Sequence, residues 1–166
     1  HHYYAHRDVK PHNILCRSQD PTMIGSLKLT DFGLCKRFTT RRATDFDAVC
    51  GTVDYFAPEL AANFEAHLRD APSIPYSAAV DVWALGCVGY EMCVFRPPFN
   101  GATLNALGRA VQAGRYHPLP AGWAYELKDL LARMLTVNEA ARPTVAKLLA
   151  SEPVRRRFAS AVAGTL

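Results

Sequence analysis

The stretch AAVDVWALGCVGYEMCVF, residues 78–95, is apolar on nearly every side of a helix. A helix of that kind has no face to offer water, so it belongs in the middle of a domain with other elements around it. Ser77 stands where it can cap the first turn, and Arg96-Pro97-Pro98 stops the run. Asp81 and Glu91 interrupt the stretch, which argues against a membrane span.

The flanking segments supply material to wrap such a helix. TLNALGRAVQAG fits a shorter helix that ends at Gly114. In YELKDLLARML, residues Leu127, Leu130, Leu131, Met134 and Leu135 follow the i, i+3, i+4 rule and predict one buried stripe. Pro143 is placed to open a last helix through TVAKLLA, closed by Glu152-Pro153. Upstream the pattern changes. NILC (13–16) and LKLT (27–30) are short apolar pieces around the turn-like RSQDPTMIGS, and together predict a small β-hairpin. From Leu34 to Phe56 periodicity is lost, and the polar run there reads as one long loop. The expectation is a mainly α-helical domain with a loop-rich face at its N-terminal end.

Composition agrees with a folded domain and narrows the partners. The chain has 166 residues, enough for one core, with 49% hydrophobic and 20% charged residues. A net charge of +4 without a dense Lys/Arg face predicts no nucleic-acid partner. The five cysteines (Cys16, Cys35, Cys50, Cys87 and Cys93) are odd in number and form no CxxC pair. They read as reduced thiols of an intracellular protein, with the cytoplasm as the first expectation and no membrane partner.

The polar chemistry is concentrated in HRDVKPHN, residues 6–13, and in Asp31. Taken singly, Asp8 or Asn13 is an ordinary turn former. Carried on the flanks of one hairpin, Asp8, Asn13 and Asp31 can converge on a small volume. Carboxylates and an amide oxygen are hard ligands of the kind Mg²⁺ accepts alongside phosphate. A carboxylate beside a bound triphosphate can also orient a hydroxyl and receive its proton. Lys10 is a flexible point charge suited to a transferring phosphoryl group. Gly33, after Asp31-Phe32, is expected to supply backbone freedom. Together these residues predict metal-assisted phosphoryl transfer.

With these residues in place, the chain resembles the C-terminal lobe of a eukaryotic serine/threonine protein kinase. HRDVKPHN resembles the catalytic loop, DFG (31–33) the metal-binding triplet, and GTVDYFAPE (51–59) the end of the activation segment. DVWALGC (81–87) resembles the family's central helix and RPT (142–144) its last arginine region. The resemblance implies ATP and Mg²⁺ as cofactors and serine or threonine side chains of proteins as substrates. Asp8 is implied as catalytic base, with Lys10 and Thr52 beside it, and Lys10, Asn13 and Asp31 as the cofactor-binding set. Asn13 and Asp31 are the implied metal ligands. Glu59 and Arg142 are implied as a buried structural pair, and Asp81 as a carboxylate accepting main-chain N–H groups near His6 and Arg7.

The same resemblance implies a kinase catalytic domain over 1–154, with catalytic loop 6–13 and activation segment 31–59, followed by a tail at 155–166. LKLTDFGLCKRF and VCGTVDYFAPE lean toward the NIMA-related branch. Two departures stand out. Ala48 occupies the usual activating threonine position, which leaves Thr44 as the candidate phosphosite facing Arg7, with Asp45 and Asp47 as acidic substitutes. NFEAHLRDAPSI also reads as an insertion. No Gly-rich loop or strand lysine is present, so the N-terminal lobe is expected as a missing partner and the fragment alone as inactive. The alternatives are a non-catalytic pseudokinase scaffold and a small-molecule phosphotransferase of kinase-like fold.

Overall fold

The computed structural model describes residues 3–16, 27–38 and 51–156. Helix α2, Ala79–Val94, is its centre. Val80, Val82, Trp83, Ala84, Cys87, Val88 and Tyr90 of this helix are all buried. The Ser77 hydroxyl accepts the Ala79 N–H at 3.2 Å, and the helix ends at Phe95 in the left-handed region, φ 57°.

Three groups of side chains pack around α2. On one side lie α1, Pro58–Leu68, and α3, Leu104–Ala113, with Phe56, Leu60, Leu107 and Val111 buried against Trp83. Phe99 stacks on the Trp83 ring at 5.2 Å. On another side α4, Tyr125–Met134, places Leu131 and Met134 against Val82 and Tyr90. That approach is close: a Cβ at Gly89 would stand 2.8 Å from Leu131 Cδ2. On the third side Val9, from the HRDVKPHN segment, packs against Ala84 and Val88.

The expectation of a helix covered all round needs correction. Leu85 and Met92, seven residues apart and so on one face, are 42% and 72% exposed. Among the described residues no element covers that face. The stripe in α4 is likewise graded. Leu131, Met134 and Leu135 are buried, whereas Leu127 and Leu130 are half-buried.

Among the described residues, four three-residue strands form two antiparallel pairs. Strands β2, Ile14–Cys16, and β3, Leu27–Leu29, make the expected hairpin, with Ile14 opposite Leu29. Strands β1, Tyr3–Ala5, and β4, Lys36–Phe38, pair as well, with Tyr4 opposite Arg37. The sequence reading had placed 36–38 in a long loop. Two consecutive cations hide that strand, and its anchor is the buried Phe38, edge-on to Tyr76 at 5.7 Å.

Two helix boundaries also move. Helix α5, Val145–Ala150, is capped by Thr144, whose hydroxyl accepts the Lys147 N–H at 3.2 Å, so Pro143 precedes the cap. Glu152-Pro153 is not what closes this helix: α5 ends at Ala150, and residues 152–156 are helical again. Proline is tolerated there because a first-turn N–H has no helical partner to lose. The segment read as an insertion continues α1 and then folds back. Fully buried Asn63 fastens the return, accepting the Ile74 N–H at 2.7 Å and donating to the Ile74 carbonyl at 3.0 Å.

Candidate active site

HRDVKPHN lies against the first turn of α2 and is held there through its own backbone. Asp81 Oδ2 accepts the His6 N–H at 2.7 Å, and Oδ1 accepts the Arg7 N–H at 2.9 Å. Burial pushes the Asp81 carboxyl above its usual value, and these two N–H bonds partly oppose it. Arg7 adopts φ 66°, a left-handed conformation that costs a non-glycine residue on the order of 1 kcal/mol. Its guanidinium donates to the Leu34 carbonyl at 2.7 Å and to the Tyr76 hydroxyl at 3.2 Å.

The turn at Arg7 aims Asp8 inward, to 6% exposure. Its carboxylate accepts a bond from every side. Oδ1 takes the Thr52 N–H at 3.0 Å and the Thr52 hydroxyl at 2.9 Å. Oδ2 takes the Asn13 amide at 3.0 Å and the Lys10 ammonium at 2.7 Å. Lys10 also donates to Thr52 Oγ1 at 2.9 Å, which closes a triangle of Asp8, Lys10 and Thr52. Burial is the largest single influence on the Asp8 pKa and raises it. Hydrogen bonds from Lys10 and Thr52, the Lys10 charge and the Asn13 bond together outweigh burial and bring the net value below the ordinary range.

Thr52 reaches Asp8 because Gly51 precedes it. Gly51 has φ +106°, and a Cβ there would stand 2.6 Å from the Arg7 carbonyl oxygen. The sequence reading missed this residue, although its place in the GT pair was visible. It gave the conformational role to Gly33 instead. Gly33 is not in the left-handed region; Asp31 is, at φ 62°.

Asn13 and Asp31 are brought together by the hairpin. The Asn13 carbonyl accepts the Thr30 N–H at 2.9 Å, so Asp31 follows directly from a residue bonded to Asn13. His6 Nε2 bonds the Thr30 carbonyl at 2.9 Å, and the His6 ring packs edge-on to Phe32 at 5.0 Å. The Asn13 amide nitrogen is committed to the Asp8 carbonyl and carboxylate, which turns its Oδ1 away from Asp8. The exposed Asp31 carboxylate accepts one long bond, from the Gly33 N–H at 3.4 Å, and no described cation pairs with it. These two oxygen donors suit a hard cation. Among the described residues no three His, Cys, Asp or Glu side chains group to hold a metal by themselves. A cation held by Asn13 and Asp31 would complete its shell with phosphate and water, as Mg²⁺ does.

Glu59, in the first turn of α1, meets Arg142 in a buried two-point pair at 2.8 and 3.1 Å. Arg142 also donates to the Ala79 carbonyl at 2.8 Å and stands over the Trp83 ring at 5.2 Å. One further contact was not foreseen: the Tyr55 hydroxyl donates to Glu91 at 2.7 Å. Burial and this carboxylate push the Tyr55 pKa up. Cys35, Cys87 and Cys93 are free thiols, and burial raises Cys87 and Cys93. Thr44, Asp45, Asp47, Ala48 and Cys50 lie outside the described residues.

A triangle of hydrogen bonds around one buried carboxylate, with a hard-oxygen pair next to it, is chemically suited to phosphoryl transfer. The protein kinase domain family model matches residues 1–153, and the chain belongs to that family. Among its relatives, the G2-specific protein kinase nimA of Emericella nidulans is 36% identical over 151 residues, covering 90% of this chain and 19% of that protein. The serine/threonine-protein kinase Nek2 of Mus musculus is 31% identical over 150 residues, covering 90% and 30%. The serine/threonine-protein kinase chk-2 of Caenorhabditis elegans stands at 35% over 151 residues, covering 89% and 29%. The chain therefore spans less than a third of the length of each.

Proposed function

We propose that this chain is the C-terminal lobe portion of a serine/threonine protein kinase, over 1–154, with a tail at 155–166. The observation that carries the reading is the wrapped Asp8 carboxylate, with both oxygens bonded by Lys10, Asn13 and Thr52. Its lowered pKa keeps it ionised at neutral pH, ready to accept a proton. In the reaction the Asp8 carboxylate orients a serine or threonine hydroxyl and takes its proton as the new O–P bond forms. The bond between the γ-phosphorus and its bridging oxygen breaks, and ADP leaves.

The other residues follow from the same geometry. Lys10 transfers its ammonium from Asp8 to the moving phosphoryl group, which vacates Asp8 Oδ2 for the substrate hydroxyl. Thr52 holds the second carboxylate oxygen in place and fixes the direction of the first. Asn13 and Asp31 hold Mg²⁺, which when bound shields the charge of the β- and γ-phosphates. Arg7, which donates to the Leu34 carbonyl, is the cation to which a phosphorylated Thr44 would supply a negative partner. A non-catalytic scaffold would have no use for this set, and a small-molecule phosphotransferase no use for GTVDYFAPE.

The N-terminal lobe completes the cleft. Phe32 is 61% exposed beside Asp31, and Leu15 and Leu27 of the hairpin are also exposed, an apolar rim that suits a covering domain. Residues 1–166 contain no Gly-rich phosphate loop, so this portion alone is expected to be inactive. No helix among the described residues is long and apolar enough to cross a membrane. Protein substrates and an intracellular setting, with no nucleic-acid partner, complete the reading.

Calorimetry of the full-length protein tests it. Asp31→Asn is expected to abolish the Mg²⁺-dependent part of ATP-analogue binding. Binding that keeps its Mg²⁺ dependence in this variant contradicts the assignment.

A further inference from the structure

A second concave site lies where α2 and α3 both end, and it shares no residue with the site around Asp8. It is a recess of about 260 Å³. Arg96 enters it from the loop after α2, and Arg115 and His117 from the segment after α3. Asn100 and Tyr116 complete the polar lining, and no carboxylate lines it. Arg96, Asn100, Arg115 and His117 are exposed. Neither arginine side chain bonds a described residue.

The walls are fixed. Tyr116 packs edge-on to Tyr90 at 5.6 Å and to Phe99 at 5.5 Å. The Tyr90 hydroxyl donates to the His117 carbonyl at 2.9 Å. Pro98 is buried and its neighbour Phe99 is stacked on Trp83. The three basic side chains therefore rise from a rigid floor, which lowers the ordering cost of gripping a ligand.

The plainest account of the arginines is that they offset helix ends. Each stands two residues beyond a helix C-terminus, where a cation is favourable. That end carries only about half a charge, and its effect fades within a turn. Two full charges and a histidine exceed what two helix ends require. Two guanidinium forks, each with several donors, are left without a described bond and without a carboxylate in this recess.

We propose that this recess binds the phosphate of a phosphorylated serine or threonine in a protein segment. Paired guanidinium groups match the oxygens of a phosphate monoester, whose second negative charge and third acceptor oxygen favour it over a carboxylate. The recess has room for one such side chain, and the Tyr116 ring and the prolines give its carbon atoms an apolar wall. A nucleic-acid track would need a row of cations along many phosphates, which a cluster of three does not provide.

The test is fluorescence anisotropy with the full-length protein and no nucleotide. The probe is a labelled peptide pool with a fixed central phosphothreonine, compared with the same pool unphosphorylated. The phosphorylated pool should bind and the other should not. Arg96→Ala combined with Arg115→Ala should weaken binding by at least about tenfold, the scale expected for two charge-assisted contacts. Lys10→Ala should leave it unchanged, which separates this recess from the site around Asp8. Inorganic phosphate should compete only at far higher concentration than the peptide. Arg96→Gln and Arg115→Gln singly provide milder variants if circular dichroism shows the double variant unfolded. Equal binding of both pools, unchanged binding in folded arginine variants, or tighter binding of single-stranded RNA through the same arginines would each overturn the proposal.

Discussion

Asp81 and His6 are 75 residues apart in sequence, yet Asp81 Oδ2 accepts the His6 main-chain N–H at 2.7 Å. With its other oxygen on the Arg7 N–H, one side chain of α2 fixes the backbone that aims Asp8. An asparagine could accept only one of these bonds and would face the other N–H with its own. Asp81→Asn should therefore cost about 1–3 kcal/mol at neutral pH.

The two carboxylates pull stability in opposite directions with pH. Folded Asp81 has a raised pKa, so just above 3.8 it keeps a proton that the unfolded chain has released. Its contribution therefore falls as pH rises through that window. Asp8 has a lowered pKa, so its contribution is present above 3.8 and is lost as pH falls through its folded value. Urea unfolding at a series of pH values should show Asp81→Asn gaining stability with pH more steeply than the parent just above 3.8. Parallel curves would contradict this.

Arg142 and Glu59 are 83 residues apart and both are buried. Arg142→Met leaves the Glu59 carboxylate without its cation in the interior, at a cost of about 3–5 kcal/mol. Removing both charges, with Glu59→Gln added, should cost less than the sum of the two single changes. A double-mutant cycle by chemical denaturation measures the difference.

Much of the helical frame was legible in the sequence. The centre at 79–94 comes from a long apolar run, the Gly114 stop from a helix-ending glycine, and the Leu131–Met134 seam from apolar spacing. Strand β4 was not legible, since Lys36 and Arg37 mask a pairing whose anchor is Phe38, and three residues carry no period. The exposed face of Leu85 and Met92 was equally hidden: hydrophobicity shows what can be buried, not what lies on it. At the site, residue types marked Asp8, Asn13 and Asp31. What they did not show was where φ turns positive, at Arg7, Asp31 and Gly51, because backbone conformation is imposed by the partners that hold it.

Gly51 gives a prediction of that kind. Gly51→Ala forces a Cβ toward the Arg7 carbonyl oxygen at 2.6 Å, from a backbone at φ +106°. The strain should cost about 1–3 kcal/mol. It should also displace Thr52 from Asp8, so that kcat falls more than KM rises. A melting curve together with steady-state kinetics of the full-length protein separates the two effects. A stable variant with full kcat would show that the approach of Gly51 to Arg7 is dispensable.

The central claim is that the Asp8 carboxylate receives the substrate proton. Its most direct test is steady-state phosphorylation of a serine/threonine peptide by the full-length protein and by Asp8→Asn, with ATP binding and melting temperature measured alongside. Asparagine keeps an acceptor for Thr52 and nearly the same shape, so folding and ATP binding should persist. Because an amide cannot take the proton, kcat should fall by about 10²–10⁴. Phosphorylation by Asp8→Asn at the parent rate would contradict the account.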